Sequence, residues 1–180
     1  TGRTGKVYMD AYKLDGTQLW RIDMGYNIRA GAHDTQLNVA DFDGDGRAEV
    51  MVRTADGTVD GQGNVIGDAS KGETFESSWA ALNNGKNLQG PLYVTCFDGE
   101  TGKALDTIDY FPNNTVGSNA TSLTFGDDFG NRSERYNSTI VILTVSHRLL
   151  YLQEVITSVR VSQILTDVQV PLHTALRMVS

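Results

Sequence analysis

Apolar and polar residues alternate over short runs in the first 110 residues, and glycine-containing turns separate the runs. Runs of this kind, rich in β-branched and aromatic residues, predict β-strands, and Asp-Gly turns between them predict antiparallel hairpins. The clearest hairpin joins residues 7–12 to residues 19–22 through a turn at residues 14–17. A helical pattern is confined to residues 76–82. We therefore expect an all-β fold.

An internal repeat suggests how these strands are organised. Further strands are predicted at residues 49–53, 92–97 and 104–108, and the last two flank a second Asp-Gly turn at Asp98-Gly99. The two hairpins are separated by about two units of ~40–45 residues, the size of one four-stranded propeller blade. We predict a fragment of a β-propeller, with a β-sandwich as the alternative. A propeller closes with ~4–8 blades, and this chain has material for two to three.

The composition changes near residue 140, and this change sets the predicted domain boundary. All 19 glycines lie before residue 131, whereas residues 141–180 have none. We assign residues 1–140 to a partial propeller. Residues 141–180 are interpreted either as a separate helical segment or as an out-of-frame tail that forms no domain. The first residue is Thr1 rather than Met, so we also expect that an N-terminal segment is missing.

The run from residue 41 to residue 49 predicts a calcium site. Ca²⁺ prefers six to eight oxygen ligands, which loops of this type supply from positions 1, 3 and 5, from a backbone carbonyl at position 7 and from a late carboxylate. Two glycines within the run permit the tight turn that such a loop needs. The predicted ligands are Asp41, Asp43, Asp45, the backbone carbonyl of Arg47, and Glu49.

Charge and composition narrow the classes of partner that the protein is expected to bind. The net charge is −7 and the pI is about 4.8, which disfavours nucleic acid and anionic membranes. No stretch of 18 apolar residues is present. Cys96 is the single cysteine, so it forms no internal disulfide, and we expect it to be a buried apolar residue. A calcium loop and an acidic surface favour a secreted protein, which we expect to be a monomer.

Several runs of the chain are informative when taken in order: residues 10–23, 27–33, 41–49, 54–61, 65–68, 97–105 and 126–132. Together these runs resemble the rhamnogalacturonan lyases of polysaccharide lyase family 11. The resemblance extends from residue 6 to about residue 138. It implies a secreted, calcium-binding, eight-bladed β-propeller. The implied activity is cleavage of the rhamnose–galacturonic acid backbone of a pectic polysaccharide, rhamnogalacturonan I, by β-elimination.

The resemblance also suggests residues for substrate binding and catalysis. Arginine pairs well with carboxylates, so Arg29 and Arg53 are candidates for binding a uronate. His33 is a further candidate for substrate binding, and His33 and Arg29 are weak candidates for catalysis; the catalytic base is not identified. The alternatives are a structural histidine and ordinary salt bridges. Asp56 and Asp60 are interpreted as turn formers.

Two further hypotheses concern residues after position 125. A second calcium site is possible at Asp127, Asp128 and Asn131. Plausible codons for residues 141–157, read one base out of register, spell a sequence like the segment that follows in the family, which favours the out-of-frame interpretation.

We expect the chain alone to be inactive because most blades are absent. The alternative function is a non-catalytic calcium-binding propeller that binds carbohydrate or mediates adhesion.

Overall fold

The computed structural model describes residues 5–29, 35–71, 91–110, 136–144, 147–154, 161–165 and 176–179. Within these residues the chain is all-β, apart from one short 3₁₀ turn at Ala69–Lys71. The predicted all-β class is therefore confirmed. The helical prediction for residues 76–82 and the second calcium site at residues 127–131 lie outside the described residues.

The strands form three four-stranded antiparallel sheets. In chain order the strands are β1 (Val7–Tyr12), β2 (Gln18–Gly25), β3 (Leu37–Ala40), β4 (Glu49–Ala55), β5 (Thr58–Val59), β6 (Val65–Ile66), β7 (Leu92–Asp98), β8 (Ala104–Asp109), β9 (Tyr136–Thr144), β10 (His147–Glu154), β11 (Val161–Leu165) and β12 (Leu176–Val179). The first sheet has the order β1-β2-β5-β6, the second β3-β4-β7-β8, and the third β9-β10-β11-β12.

The first hairpin forms where the sequence predicts it. Gly16 adopts a φ of 87° between β1 and β2, a conformation that favours glycine. The N–H of Gly16 donates to the carbonyl of Lys13 at 2.9 Å, and the N–H of Lys13 donates to the carbonyl of Thr17 at 2.8 Å. These bonds close the turn and fix the register of the two strands.

The first two sheets are interleaved along the chain. After β1 and β2, the chain enters the second sheet with β3 and β4, returns to the first with β5 and β6, and completes the second with β7 and β8. The third sheet follows from a separate stretch of chain. The helical interpretation of residues 141–180 is wrong for the described residues, which form strands β9 to β12. The β-branched residues of this segment, such as Thr139-Ile140-Val141-Ile142, explain the preference for strands over a helix.

The core of the described residues comes mainly from the central strands of the first two sheets. Every residue of β4 is buried, and β4 pairs with β3 on one side and with β7 on the other. Cys96 is fully buried, as expected, and burial raises the pKa of its thiol to about 12. No described helix is long and apolar enough to cross a membrane. The largest fully buried side chains include Ile22, Met24, Phe42, Val94 and Phe97.

Candidate metal centre

The loop between β3 and β4 returns the chain on itself, and together with Glu49 it forms residues 41–49, named the metal loop for its predicted site. Ala40 and Glu49 pair across the two antiparallel strands, so the eight residues between them must reverse direction. Gly44 and Gly46 adopt φ values of 82° and 91°. A side chain would meet no neighbouring atom at either position, so the backbone conformation rather than lack of space requires glycine there.

Three of the predicted ligands come together in this loop. Asp41, Asp43 and Glu49 each offer an oxygen, and these oxygens all lie within 4.8 Å of one another. Asp45 lies in the same loop but is not part of this group of three, and both Asp45 and Arg47 are exposed. The structure thus brings together the first, third and ninth positions of the predicted site.

Backbone N–H groups hold the carboxylates in place. Asp41 accepts from the N–H of Gly44 through Oδ1 at 2.6 Å and from the N–H of Gly46 through Oδ2 at 3.2 Å. Asp43 and Asp45 each accept from the N–H two residues later, at 3.0 Å and 2.8 Å. Because each carboxylate oxygen carries two lone pairs, these bonds leave acceptor capacity for a cation.

The surroundings of Glu49 disfavour a negative charge on its carboxylate. Its side chain is only 3% exposed, and its Oε2 accepts from the N–H of Phe42 at 2.7 Å. Burial raises the pKa of Glu49, the Phe42 N–H lowers it, and the charges of Asp43, Asp45 and Asp41 raise it, so that the pKa lies above its ordinary value. A bound cation would relieve this repulsion. An all-oxygen ligand set of carboxylates fits Ca²⁺ or another hard cation.

The turn between β7 and β8, residues 98–102, packs directly behind the metal loop. A Cβ atom built on Gly99 would lie 1.8 Å from the carbonyl oxygen of Ala48, so the turn touches the backbone between Arg47 and Glu49. Arg47 also reaches the same turn through its side chain, whose Nη1 lies 2.6 Å from Oε2 of Glu100. Both partners of this ion pair are more than 60% exposed, so it contributes little stability.

The same turn joins the second sheet to the first. Nε1 of Trp20, on β2, donates to the carbonyl of Gly99 at 2.9 Å. The N–H of Gly61, in the β5–β6 loop, donates to the carbonyl of Gly102 at 2.8 Å. Asp60 completes the connection by accepting from the N–H of Ala104 at 3.0 Å.

Asp56 and Asp60 do more than form the turns that the sequence predicts. Asp60 does form a local turn, accepting from the N–H groups of Gln62 and Asn64, each at 2.8 Å, but it also bridges the two sheets. Asp56 is buried and accepts from the hydroxyl of Tyr93 at 3.0 Å, 37 residues away. Neither long-range bond leaves a sequence signal, because an Asp that precedes a glycine also suits a simple turn.

The predicted substrate-binding residues are placed as follows. Arg53, on β4, is 5% exposed, and its guanidinium carbon lies 6.0 Å from the ring centroid of Tyr110. Arg29 is half-buried after β2, and its carbonyl accepts from the hydroxyl of Thr35 at 2.5 Å. His33 lies outside the described residues.

Comparison with known proteins connects this architecture to one family. The family model described as "Rhamnogalacturonan lyase family 11, C-terminal domain" matches residues 1–157. The chain is 50% identical over 135 residues to the rhamnogalacturonan exolyase YesX of Bacillus subtilis strain 168, and 49% identical over 142 residues to the rhamnogalacturonan endolyase YesW of the same strain. These alignments cover 75% and 79% of this chain, and 20% and 21% of the relatives.

The solved structures that resemble this chain are also rhamnogalacturonan lyases. The crystal structure of the exotype rhamnogalacturonan lyase YesX superposes with a TM-score of 0.79 at 41% identity, covering 98% of this chain and 27% of that chain. A rhamnogalacturonan lyase of Bacillus licheniformis gives a TM-score of 0.76 at 39% identity, covering 98% and 28%. The chain therefore spans about a fifth of the length of its curated relatives.

Proposed function

Because the chain belongs to rhamnogalacturonan lyase family 11, we propose that the protein of which it is part cleaves the rhamnose–galacturonic acid backbone of rhamnogalacturonan I. The observation that carries this proposal is the family match over residues 1–157, supported by about 50% identity to both an exolyase and an endolyase. A pectic polysaccharide is accordingly the substrate. The resemblance noted in the sequence is confirmed at the level of the family.

The proposed reaction is β-elimination. A base removes the proton from C5 of the galacturonic acid, the electron pair forms a double bond between C4 and C5, and the C4–oxygen bond breaks. The leaving oxygen takes up a proton. Positive charge beside the C6 carboxylate stabilises the enolate that develops. We propose Arg29 and Arg53 for binding the uronate, together with His33, and His33 and Arg29 are the candidates for catalysis.

We propose calcium as the metal of the β3–β4 loop. Asp41, Asp43 and Glu49 would hold it, and Asp45 and the backbone carbonyl of Arg47 would complete its coordination. A calcium ion bound there would supply positive charge that offsets the repulsion among the carboxylates. In calcium-assisted elimination, the positive charge of calcium would also stabilise the enolate that develops at the uronate. The short separations among the three oxygens and the raised pKa of Glu49 support this assignment.

For the whole protein we propose a secreted, monomeric β-propeller that binds neither nucleic acid nor membranes. The repetition of four-stranded antiparallel sheets supports the propeller. The interpretation of residues 141–180 as an out-of-frame tail stays a prediction. Sequencing the source DNA from codon 130 onward in all three frames tests it, and one uninterrupted frame that ends at Ser180 would refute it.

The activity is tested with the protein extended in frame by its remaining blades. Incubation with rhamnogalacturonan I and Ca²⁺ should give ultraviolet absorbance from the unsaturated product. Polygalacturonic acid, which lacks the alternating rhamnose, serves as the control substrate and should give little. Binding of rhamnogalacturonan I without cleavage would instead support the non-catalytic alternative, and cleavage without an unsaturated product would contradict β-elimination.

A further inference from the structure

The β7–β8 turn supports the part of the metal loop that supplies its last two predicted ligands. Ala48 lies between Arg47 and Glu49, and the carbonyl of Ala48 points at the backbone of Gly99. The approach is so close that residue 99 has no room for a side chain. Any shift of the turn must therefore move the backbone of Ala48 or open a gap behind it. The position of the Glu49 carboxylate thus depends on the position of the turn.

Trp20 holds the turn from the opposite side. Its indole N–H donates to the carbonyl of Gly99, and its side chain is only 7% exposed. Gly102 adopts a φ of 69° and lies against the indole, since a Cβ atom there would be 2.9 Å from two ring carbons. The hydrogen bond and the close ring contact together restrict where the turn can sit. Trp20 belongs to the first sheet, whereas the turn and the metal loop belong to the second.

We propose that Trp20 is a positioning residue for the metal loop and acts on it through Gly99. The indole fixes the carbonyl of Gly99, and Gly99 fixes the backbone of Ala48, on which the ligands at positions 47 and 49 depend. This inference rests on the calcium site proposed above. Linkage is reciprocal: if Trp20 strengthens calcium binding, bound calcium must strengthen the contact at Trp20 by the same factor.

The first test compares calcium affinity by calorimetry between the parent chain and Trp20→Phe. Phenylalanine keeps an aromatic ring against Gly102 but removes the N–H donor. One hydrogen bond is worth about 0.5–1.5 kcal/mol net, so Kd should rise about two- to tenfold if the bond is fully coupled to the metal. Ile22→Val is the matched control: it lies two residues along the same strand, is fully buried, and makes no side-chain hydrogen bond to the turn. Its Kd should equal that of the parent.

The outcomes separate this inference from the calcium site itself. No binding by the parent chain would overturn the calcium site and this inference with it. Binding by the parent with an equal Kd for Trp20→Phe would overturn only the role of Trp20. An equal rise in Kd for Ile22→Val would also overturn it, since the effect would then follow general stability.

A second measurement keeps the inference testable if Trp20→Phe does not fold. Trp79 is the other tryptophan of the chain, so Trp79→Phe leaves Trp20 as the sole tryptophan fluorophore. Calcium titration should then change the Trp20 emission saturably, with the midpoint given by calorimetry. Emission that stays constant while calorimetry shows binding would overturn the inference. Asp43→Ala, which removes a ligand, should abolish the change and thus assigns it to the metal loop.

Discussion

Replacing Asp60 by alanine should destabilise the contact between the first two sheets. The carboxylate is 4% exposed and accepts three backbone hydrogen bonds, two from its own loop and one from Ala104 on β8. Asn64 adds its side-chain amide at 3.0 Å. Truncation removes these acceptors together and leaves the N–H of Ala104 without its partner.

The expected cost follows from how exposed each donor is. Gln62 and Asn64 are exposed, so water can replace Asp60 as their acceptor at a cost below about 1 kcal/mol each. Ala104 is half-buried and loses a bond to a charged group, which is worth about 1.5–3 kcal/mol. We expect a total loss of about 2–4 kcal/mol in the free energy of unfolding.

Urea unfolding followed by tryptophan fluorescence measures this loss. With a slope of about 2 kcal/mol per molar urea, the middle of the usual range, the midpoint should fall by about 1–2 M. Asp15→Ala is the matched control because Asp15 also accepts from the N–H two residues later, at 2.9 Å, but within the exposed turn between β1 and β2. A loss for Asp60→Ala no larger than that for Asp15→Ala would refute the bridging role.

The remaining predictions concern pH, metal, packing and activity. Burial raises the pKa of Asp60, but the N–H of Ala104 and the donors of Asn64 and Gln62 outweigh it and lower the pKa below its ordinary value. The stability that Asp60 adds should therefore be complete above about pH 5 and decline as the pH falls below its unfolded pKa of about 3.9, so acid titration should shrink the difference between the parent and Asp60→Ala; a constant difference would contradict this. Asp43→Ala should lose most of the rise in Tm that millimolar Ca²⁺ gives the parent, and an equal rise in both would count against the loop as the main site. Gly99→Ala should lower Tm by several degrees, because its Cβ would overlap the carbonyl of Ala48, and an unchanged melting curve would mean that the turn yields freely. The 180-residue chain alone should give no ultraviolet absorbance with rhamnogalacturonan I and Ca²⁺, and clear turnover would show that the rest of the protein is dispensable for activity.

The hairpins and the grouping of acidic side chains between β3 and β4 could be predicted because their signals are local. An Asp-Gly turn between alternating strands and carboxylates at every second position each fit within a dozen residues. The connectivity of the sheets could not be predicted in the same way. Strand β5 has only two residues, and its partner β2 lies more than 30 residues earlier. No local pattern distinguishes that pairing from a new hairpin.

The candidate site likewise has local features that the sequence shows and long-range contacts that it does not. The acidic residues proposed as ligands are visible in the sequence, but the contacts that position them are not. Trp20 is 79 residues from Gly99, and nothing in its surroundings marks it as anything other than a core residue. The roles of Asp56 and Asp60 are hidden for the same reason, since each side chain suits a turn and the long-range partner is a tyrosine hydroxyl in one case and a plain backbone N–H in the other.

The interleaving of the first two sheets affects how this region can be inherited and rearranged. A breakpoint between β2 and β7 separates at least one sheet from strands that it needs, because each sheet draws its halves from two distant stretches of chain. Duplication or exchange of a single hairpin would leave unpaired edges, which promote aggregation. The smallest unit that can be moved intact therefore runs from β1 to the end of β8. During synthesis, the second sheet also stays incomplete until β8 has emerged, so we expect the pair to fold late and together.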